Sequence, residues 1–265
     1  MAIDPHLPAA FDFAFQVERL YASLILNAGA ESSHDSEPGL GGKLLYAGEL
    51  AQGRALVVAG NIAGAATLAA TADAAAQKQA IRDGVVDFLV TTLDEALRIL
   101  KNEIRKHETV AVCVGHAPDA VEREMLERGV QPDLLAGGAT GGAECEAFLS
   151  QGARRIESLD AEESQTLLTW RVAAAPAQWL PKIDAIALNC LSPADGSARR
   201  WLRLAPRYLG RLAQGIRFLR CDEQTALEFR NRVQTAMDRG EIGVPVEIQL
   251  SPSAASIRAH NSFTP

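Results

Sequence analysis

The sequence predicts an α/β protein built on a doubly wound parallel sheet with helices on both faces. Three observations predict it. Short apolar runs of strand length alternate with segments of helical period from Gly42 to Gly138, an order that argues for a parallel sheet covered on both sides. Ala65 to Ala70 is apolar throughout, as a strand buried on both faces should be. Of 265 residues, 48% are hydrophobic and only 5% aromatic, a composition that suits closely packed layers. That length allows one large or two small domains. Changes of texture divide the chain into an N-terminal helix and loop (1–41), the sheet domain (42–140) and an α/β remainder (141–265).

Phe11 to Ala28 carries Phe13, Val17, Leu20, Tyr21 and Leu24 near helical period, an amphipathic helix with its apolar face toward the main domain. Gly29–Gly42 is a polar, Gly-rich loop, and His34 within it reads as a solvated side chain. The organising stretch follows, GKLLYAGELAQGRALVVAGNIAGAATLAATAD, Gly42 to Asp73. It reads as a strand ending at Gly48, a turn, a small-residue helix from Ala55 to about Ala63, and the apolar strand. In a Rossmann-like sheet such a turn brings backbone N–H groups and a helix N-terminus to a dinucleotide pyrophosphate. The fingerprint wants Gly at its first, third and sixth positions, which here are Gly48, Leu50 and Gly53. A Leu at the middle position obstructs the close approach that Gly permits. Thr71 stands where an acid for the ribose is expected, and the nearest acid is Asp73.

Asp73 caps a helix over Ala74–Ile81, and Val85–Val90 reads as a strand. Thr92-Leu93-Asp94-Glu95 is a capping box, followed by the stripe Leu93, Ala96, Leu97, Leu100 and Ile104. Thr109–Gly115 is a strand, Pro118 a helix N1 residue with Gly129 closing that helix, and Pro132–Gly138 a short strand. A short helix lies near Cys145–Gln151. Residues 161–180 read as helical, Ile183–Cys190 as a strand and Trp201–Leu212 as an amphipathic helix. Arg199, Arg200, Arg203, Arg207 and Arg211 lie on or near that helix, as a solvated face or an anion-holding cluster. Ile216–Cys221 is a strand, and Asp222 caps a helix through Ala226, Phe229, Val233 and Met237. Gly243–Leu250 is the last strand, and a polar tail begins at Ser251.

Ligands of such sheets bind beyond the strand C-terminal ends. His116 is the best-placed histidine there, beside Thr91, Thr92, Thr140 and, among the acids, Asp87. None of these forms a recognisable dyad with a nucleophile. The net charge of −7 argues against a nucleic-acid partner. Cys113, Cys145, Cys190 and Cys221 are scattered, with no metal-ligand spacing, so no metal is expected and a reduced, cytoplasmic compartment fits. No stretch has the length of a membrane helix, and the N-terminus does not read as a signal peptide.

These motifs resemble the urocanate hydratase (urocanase) family. Its members carry Ala-Gly-Leu-Gly-Gly-Met-Gly-Gly-Ala-Gln, a small-residue helix, and a strand ending Glu-Cys-Asp, on which Leu45–Asp73 can be laid without a gap. TLDEALRIL, VCVGHAP, LERGVQPDLL, WLRLA, IALNCLSPAD and TAMDRGEIGVPVEI match further family segments in order, over roughly residues 42–262. The resemblance implies a Rossmann-like domain with remnants of the urocanase core, self-association as a homodimer, and a link to histidine breakdown. Family members bind NAD and use it to add water to urocanate. In this chain Leu50, Ala51 and Arg54 replace three loop glycines, and Thr71 replaces the ribose-binding Glu. AGGATGGAE replaces the His-bearing Thr-Asp-Gln-Thr-Ser-x-His-Asp stretch, and residues 249–254 replace the segment whose arginine anchors substrate. The family's N-terminal Tyr-Gly-Gly segment and the C-terminal segment with its essential Cys have no counterpart. No urocanase catalytic residue carries over. The residues left for cofactor contact are Gly48, Gly53, Thr71, Asp73 and His116, with NAD itself in doubt.

Three expectations follow, and they stay open at this point. The chain is a diverged relative without urocanate hydratase activity that binds a small molecule or a partner. Or it is an enzyme, an NAD-dependent lyase of the urocanase type or one with changed chemistry. Or it is a subunit that associates with a true urocanase.

Overall fold

Ala14, Val17, Tyr21 and Leu24 recur at intervals of three and four, and that stripe is the buried face of the first helix, α1 (Leu7–Asn27). The computed structural model describes residues 7–27, 38–136, 143–156, 166–210 and 215–252. His34, Thr140, Arg211 and the tail beyond Pro252 lie outside the described residues. The chain divides into two compact units, Gln16–Ser158 and Met1–Phe15 with Leu159–Pro265.

Gln16–Ser158 is organised on strands that alternate with helices. In chain order these are β1 (Leu44–Glu49), α2 (Leu50–Ala63), β2 (Ala66–Ala70), α3 (Ala74–Arg82), β3 (Phe88–Val90) and α4 (Leu93–Lys106). β4 (Val110–Val114), α5 (Pro118–Glu127), β5 (Leu134–Leu135), α6 (Ala143–Ser150) and β6 (Arg154–Arg155) follow. The sheet has the order β3-β4-β2-β1-β5-β6, with every pairing parallel. β1 sits where the order reverses, with β2 on one side and β5 on the other.

β2 and β4 are buried along their whole length, which is why their sequences are unbroken apolar runs rather than alternating ones. Tyr46, Leu68 and Val112 share one face with Leu97 and Leu100 of α4, Val121 and Met125 of α5, and Phe148 of α6. Leu45 and Thr67 point to the other face, where α2 lies so close that a Cβ on Gly60 would come within 2.7 Å of Leu45 and 2.8 Å of Thr67. Helices therefore cover both faces. The caps read from the sequence are present: Asp73 accepts the Ala75 N–H at 2.7 Å and Thr92 the Glu95 N–H at 3.3 Å. The Glu95 carboxylate, however, reaches the Thr91 N–H at 3.1 Å, one residue short of the cap.

Three boundaries differ from expectation. The strand expected over Pro132–Gly138 is reduced, among the described residues, to Leu134–Leu135. α2 starts at Leu50, directly after β1, not at Ala55. The segment expected to be a glycine turn is thus helix, because Gly48 (φ 70°) lies where the β1–β2 register shifts between Tyr46 and Glu49, and Glu49 then serves directly as the N-cap. β3 keeps only Phe88–Val90 of the expected six residues, since Val85 and Val86 are buried ahead of it in the connection from α3.

The other unit contains β7 (Thr166–Arg171), α7 (Pro176–Cys190), α8 (Gly196–Leu209), β8 (Ile216–Cys221), α9 (Glu223–Asp238) and β9 (Glu247–Pro252). β7 is central in an antiparallel sheet of order β8-β7-β9. Three elements of this unit differ from expectation. Residues 161–180 include a strand, β7, whose Leu167, Leu168, Thr169 and Trp170 are all buried, so that no polar–apolar alternation marks it. Ile183–Cys190 is the second half of helix α7 instead of a strand. Leu180, Ile183, Asp184 and Ala187 are buried at helical spacing, and Pro176 opens the helix. Pro181, which looks like a break, lies inside that helix, where its missing N–H forfeits one hydrogen bond. β9 also lies later than expected and includes Ser251 and Pro252.

A buried polar clamp joins this sheet to α7. Asp184 accepts from Trp170 Nε1 at 3.1 Å and from Arg217 Nε at 3.1 Å. Burial pushes the Asp184 carboxyl above its ordinary range, while Arg217 and Trp170 pull against that. Trp170 also packs on Phe229 of α9, with ring centroids 4.8 Å apart.

Candidate functional site

The parallel sheet brings the predicted residues to one edge through its register. Glu49 pairs with Ala70 and Ala70 with Val114, so the C-terminal ends of β1, β2 and β4 lie side by side. Gly48 stands near the end of β1, Thr71 directly follows β2 and His116 lies two residues beyond β4, so all three are at that edge. Thr91 and Thr92 follow β3, the next strand out. Asp87 does not belong with them. It precedes β3, at the opposite end of the strand, and its carboxylate accepts the Ala111 N–H at 2.8 Å.

Most residues at this edge have a visible structural duty, and His116 does not. Gly53 is buried in the first turns of α2, and a Cβ there would lie 2.4 Å from the Ala47 carbonyl oxygen. It permits the close approach of helix and strand, one of the three roles of glycine in a dinucleotide turn. Gly48 supplies the positive φ near the end of β1, where the pairing with β2 shifts register. Leu50 is 2% exposed and Glu49 accepts the Ala51 N–H at 3.5 Å, so the start of α2 is capped by the chain's own carboxylate. Thr71, 1% exposed, donates its N–H to Val114 O at 3.1 Å and accepts the Asp73 N–H on its hydroxyl at 3.2 Å. Its carbonyl accepts Gln77 Nε2 at 2.9 Å. Asp73 is engaged in capping α3. His116 is exposed, between the end of β4 and Pro118 of α5, and has no hydrogen-bond partner among the described residues.

Two arginines, Arg54 beside the β1–α2 joint and Arg199 of the arginine cluster, are engaged within the fold. Arg54 pairs with Asp83 at the end of α3. Arg199 donates to Leu188 O at 3.0 Å and Leu191 O at 3.2 Å, closing the C-terminus of α7.

One constellation was not read from the sequence. Tyr46, buried in β1, donates its hydroxyl to Glu122 Oε1 of α5 at 2.9 Å, and Glu122 is only 7% exposed. Burial raises the Glu122 carboxyl above its ordinary range, Tyr46 opposes that shift, and Glu144 and Asp119 add to it. Burial and the neighbouring Glu122 likewise push the Tyr46 phenol up. The available signals were a lone Tyr in an apolar strand and a Glu beside the Val121–Met125 stripe. Cys113, fully buried in β4, is pushed up to about 12 by burial and by Glu49 and is not an activated thiol.

Among the described residues no group of three or more His, Cys, Asp or Glu side chains is placed to hold a metal ion. No described helix is long and apolar enough to cross a membrane. The family model of the urocanase Rossmann-like domain matches residues 24–167, more than half of the chain.

Proposed function

This chain belongs to the urocanase family, and we propose that it uses the family's sheet as a scaffold without hydrating urocanate, binding a small molecule or a protein partner beyond the ends of β1, β2 and β4. The carrying observation is the joint between β1 and α2. A dinucleotide pyrophosphate needs free first-turn N–H groups and a glycine at its point of closest approach. Here Glu49 caps the turn with a negative charge and Leu50 replaces the glycine. Thr71 and Asp73 are held by their own loop, leaving no acid for a ribose hydroxyl. These residues do not fit NAD, the cofactor to which the family's Rossmann-like domain is related.

A second reading rests on Gly48 and Gly53, which keep the turn and the helix–strand approach of a dinucleotide site. It makes the chain an NAD-dependent lyase acting on urocanate or a related molecule.

Calorimetric titration with NAD and urocanate, with mass analysis of anything released on denaturation, separates the two. The expected result is no NAD heat, no released NAD and no urocanate turnover. NAD released or bound at micromolar levels overturns the first reading. Sedimentation of the protein alone and with a urocanase tests the partner arm, since self-association or co-migration is expected if the edge serves assembly.

A further inference from the structure

Glu122 is a buried acid whose described hydrogen-bond donor is a neutral phenol. From β1 it faces Tyr46, at 2.9 Å, with Glu49 farther along the same strand. On α5 itself Asp119 adds a negative field, and the nearby cation, Arg123, lies 3.6 Å from Asp119 on the exposed side of the helix. From α6 the facing acid is Glu144, Cys145 is buried in the same layer, and the Arg155 guanidinium lies 3.7 Å from the Cys145 sulfur and is paired with Glu146 at 2.9 Å. β2, also packed against α5, has no titratable side chain in Ala66–Ala70. α4 shares the apolar layer with α5 through Leu97 and Leu100, and its Asp94 is taken by Arg128, beyond the end of α5. The charges that act on it, Glu144 and Asp119, are thus of its own sign, and its helix neighbours Val121 and Met125 belong to the apolar layer that includes Phe148.

We propose that the Tyr46–Glu122 contact makes the seating of α5 on the parallel sheet proton-dependent, firm while Glu122 is protonated and loosened when it ionises. A carboxylate left in that layer would lack a counter-charge, and the cost of keeping it there is relieved by moving α5 outward to water. His116 and Asp119 lie at the start of α5, so this movement would reshape the rim of the candidate site. The raised pKa of Glu122 sets the sign. A folded state that holds the proton more tightly than the unfolded chain gains stability that is complete below the ordinary Glu value near 4.3. That gain is lost as pH rises through the folded value.

Hydrogen exchange of α5 amides in the full-length protein, corrected for intrinsic rates and followed from pH 5 to 9, is the test. The expected result is an opening equilibrium that rises through one titration, by at most tenfold per pH unit for a single linked proton. Glu122→Gln should remove that dependence and leave α5 protected throughout. Tyr46→Phe should move the titration to higher pH, because the lost hydroxyl favours the charged form. Opening of α5 that is independent of pH, or an E122Q variant with the wild-type dependence, overturns the proposal. Should E122Q fail to fold, carbon-13 shifts of the Glu122 carboxyl in the wild type decide it. Titration above the ordinary Glu value supports the switch, and titration at or below it overturns it.

Discussion

Asp184 and Glu122 are both carboxylates buried beside a sheet, and they differ in what they meet. Asp184, in the antiparallel unit, receives a guanidinium from Arg217 and an indole N–H from Trp170. Glu122, in the parallel unit, receives a phenol, and the charges acting on it are those of Glu144 and Asp119. A buried pair with good geometry fixes its surroundings, because removal of either partner strands the other. A buried acid without a cation has an alternative, since it can keep its proton. The first arrangement is a clamp between a strand and a helix. The second is sensitive to the solvent's proton supply.

The comparison breaks most visibly at Arg217. Arg217→Met should cost about 3–5 kcal/mol at neutral pH, the range for stranding one charge of a buried pair. The deficit should shrink as pH falls, because the stranded Asp184 then takes a proton and its charge disappears. Urea unfolding of both proteins across pH 4–8 reads this directly. A deficit below about 1 kcal/mol, the range of exposed pairs, would make the clamp a surface contact in energetic terms and erase its difference from Glu122.

The parallel unit is more vulnerable in its packing than in its charges. Gly53→Ala places a methyl 2.4 Å from the Ala47 carbonyl oxygen, which is backbone and cannot turn aside. Moving α2 away from β1 should cost about 1–3 kcal/mol, the usual range for overpacking, although Ala is otherwise the better helix former. A variant as stable as the wild type would show that α2 is not held at this distance, and would remove the reason for a glycine at this position.

The two units also differ in how plainly the sequence announces them. Between Leu44 and Glu127 the elements carry chemical marks. Asp73, Thr92 and Pro118 mark helix starts, and Val110–Val114 is an unbroken apolar strand between polar turns. The antiparallel unit hides its marks. β7 is buried on both faces and so lacks the period of two, and the flanking alanines favour helix. Pro176 and Pro181 look like interruptions, although one opens α7 and the other is tolerated within it. The site was half legible. Gly48, Thr71 and His116 were rightly placed at strand ends, because βα alternation fixes which end is which. The duty of Glu49 as a cap was hidden, since it depends on α2 beginning at Leu50. The Tyr46–Glu122 contact joins residues 76 apart in the chain, and no local pattern announces such a pair.

The smallest expected effect lies at the rim of the parallel sheet. Thr71 and His116 follow neighbouring strands, but Thr71 is buried and bonded through its N–H, hydroxyl and carbonyl, whereas His116 is exposed with no hydrogen-bond partner among the described residues. His116→Ala should therefore change stability by less than about 0.5 kcal/mol, as surface substitutions away from special features do. Loss of the Thr71 hydroxyl in Thr71→Val should cost about 1 kcal/mol, the net worth of one hydrogen bond. Paired denaturation curves for the two variants test this ordering. If it holds, the His116 ring is free of structural duty, and any loss of ligand or partner binding in His116→Ala can be assigned to contact at the site. Were His116→Ala as damaging as Thr71→Val, the histidine would belong to the scaffold, and the search for the binding surface would move to other residues along the same edge.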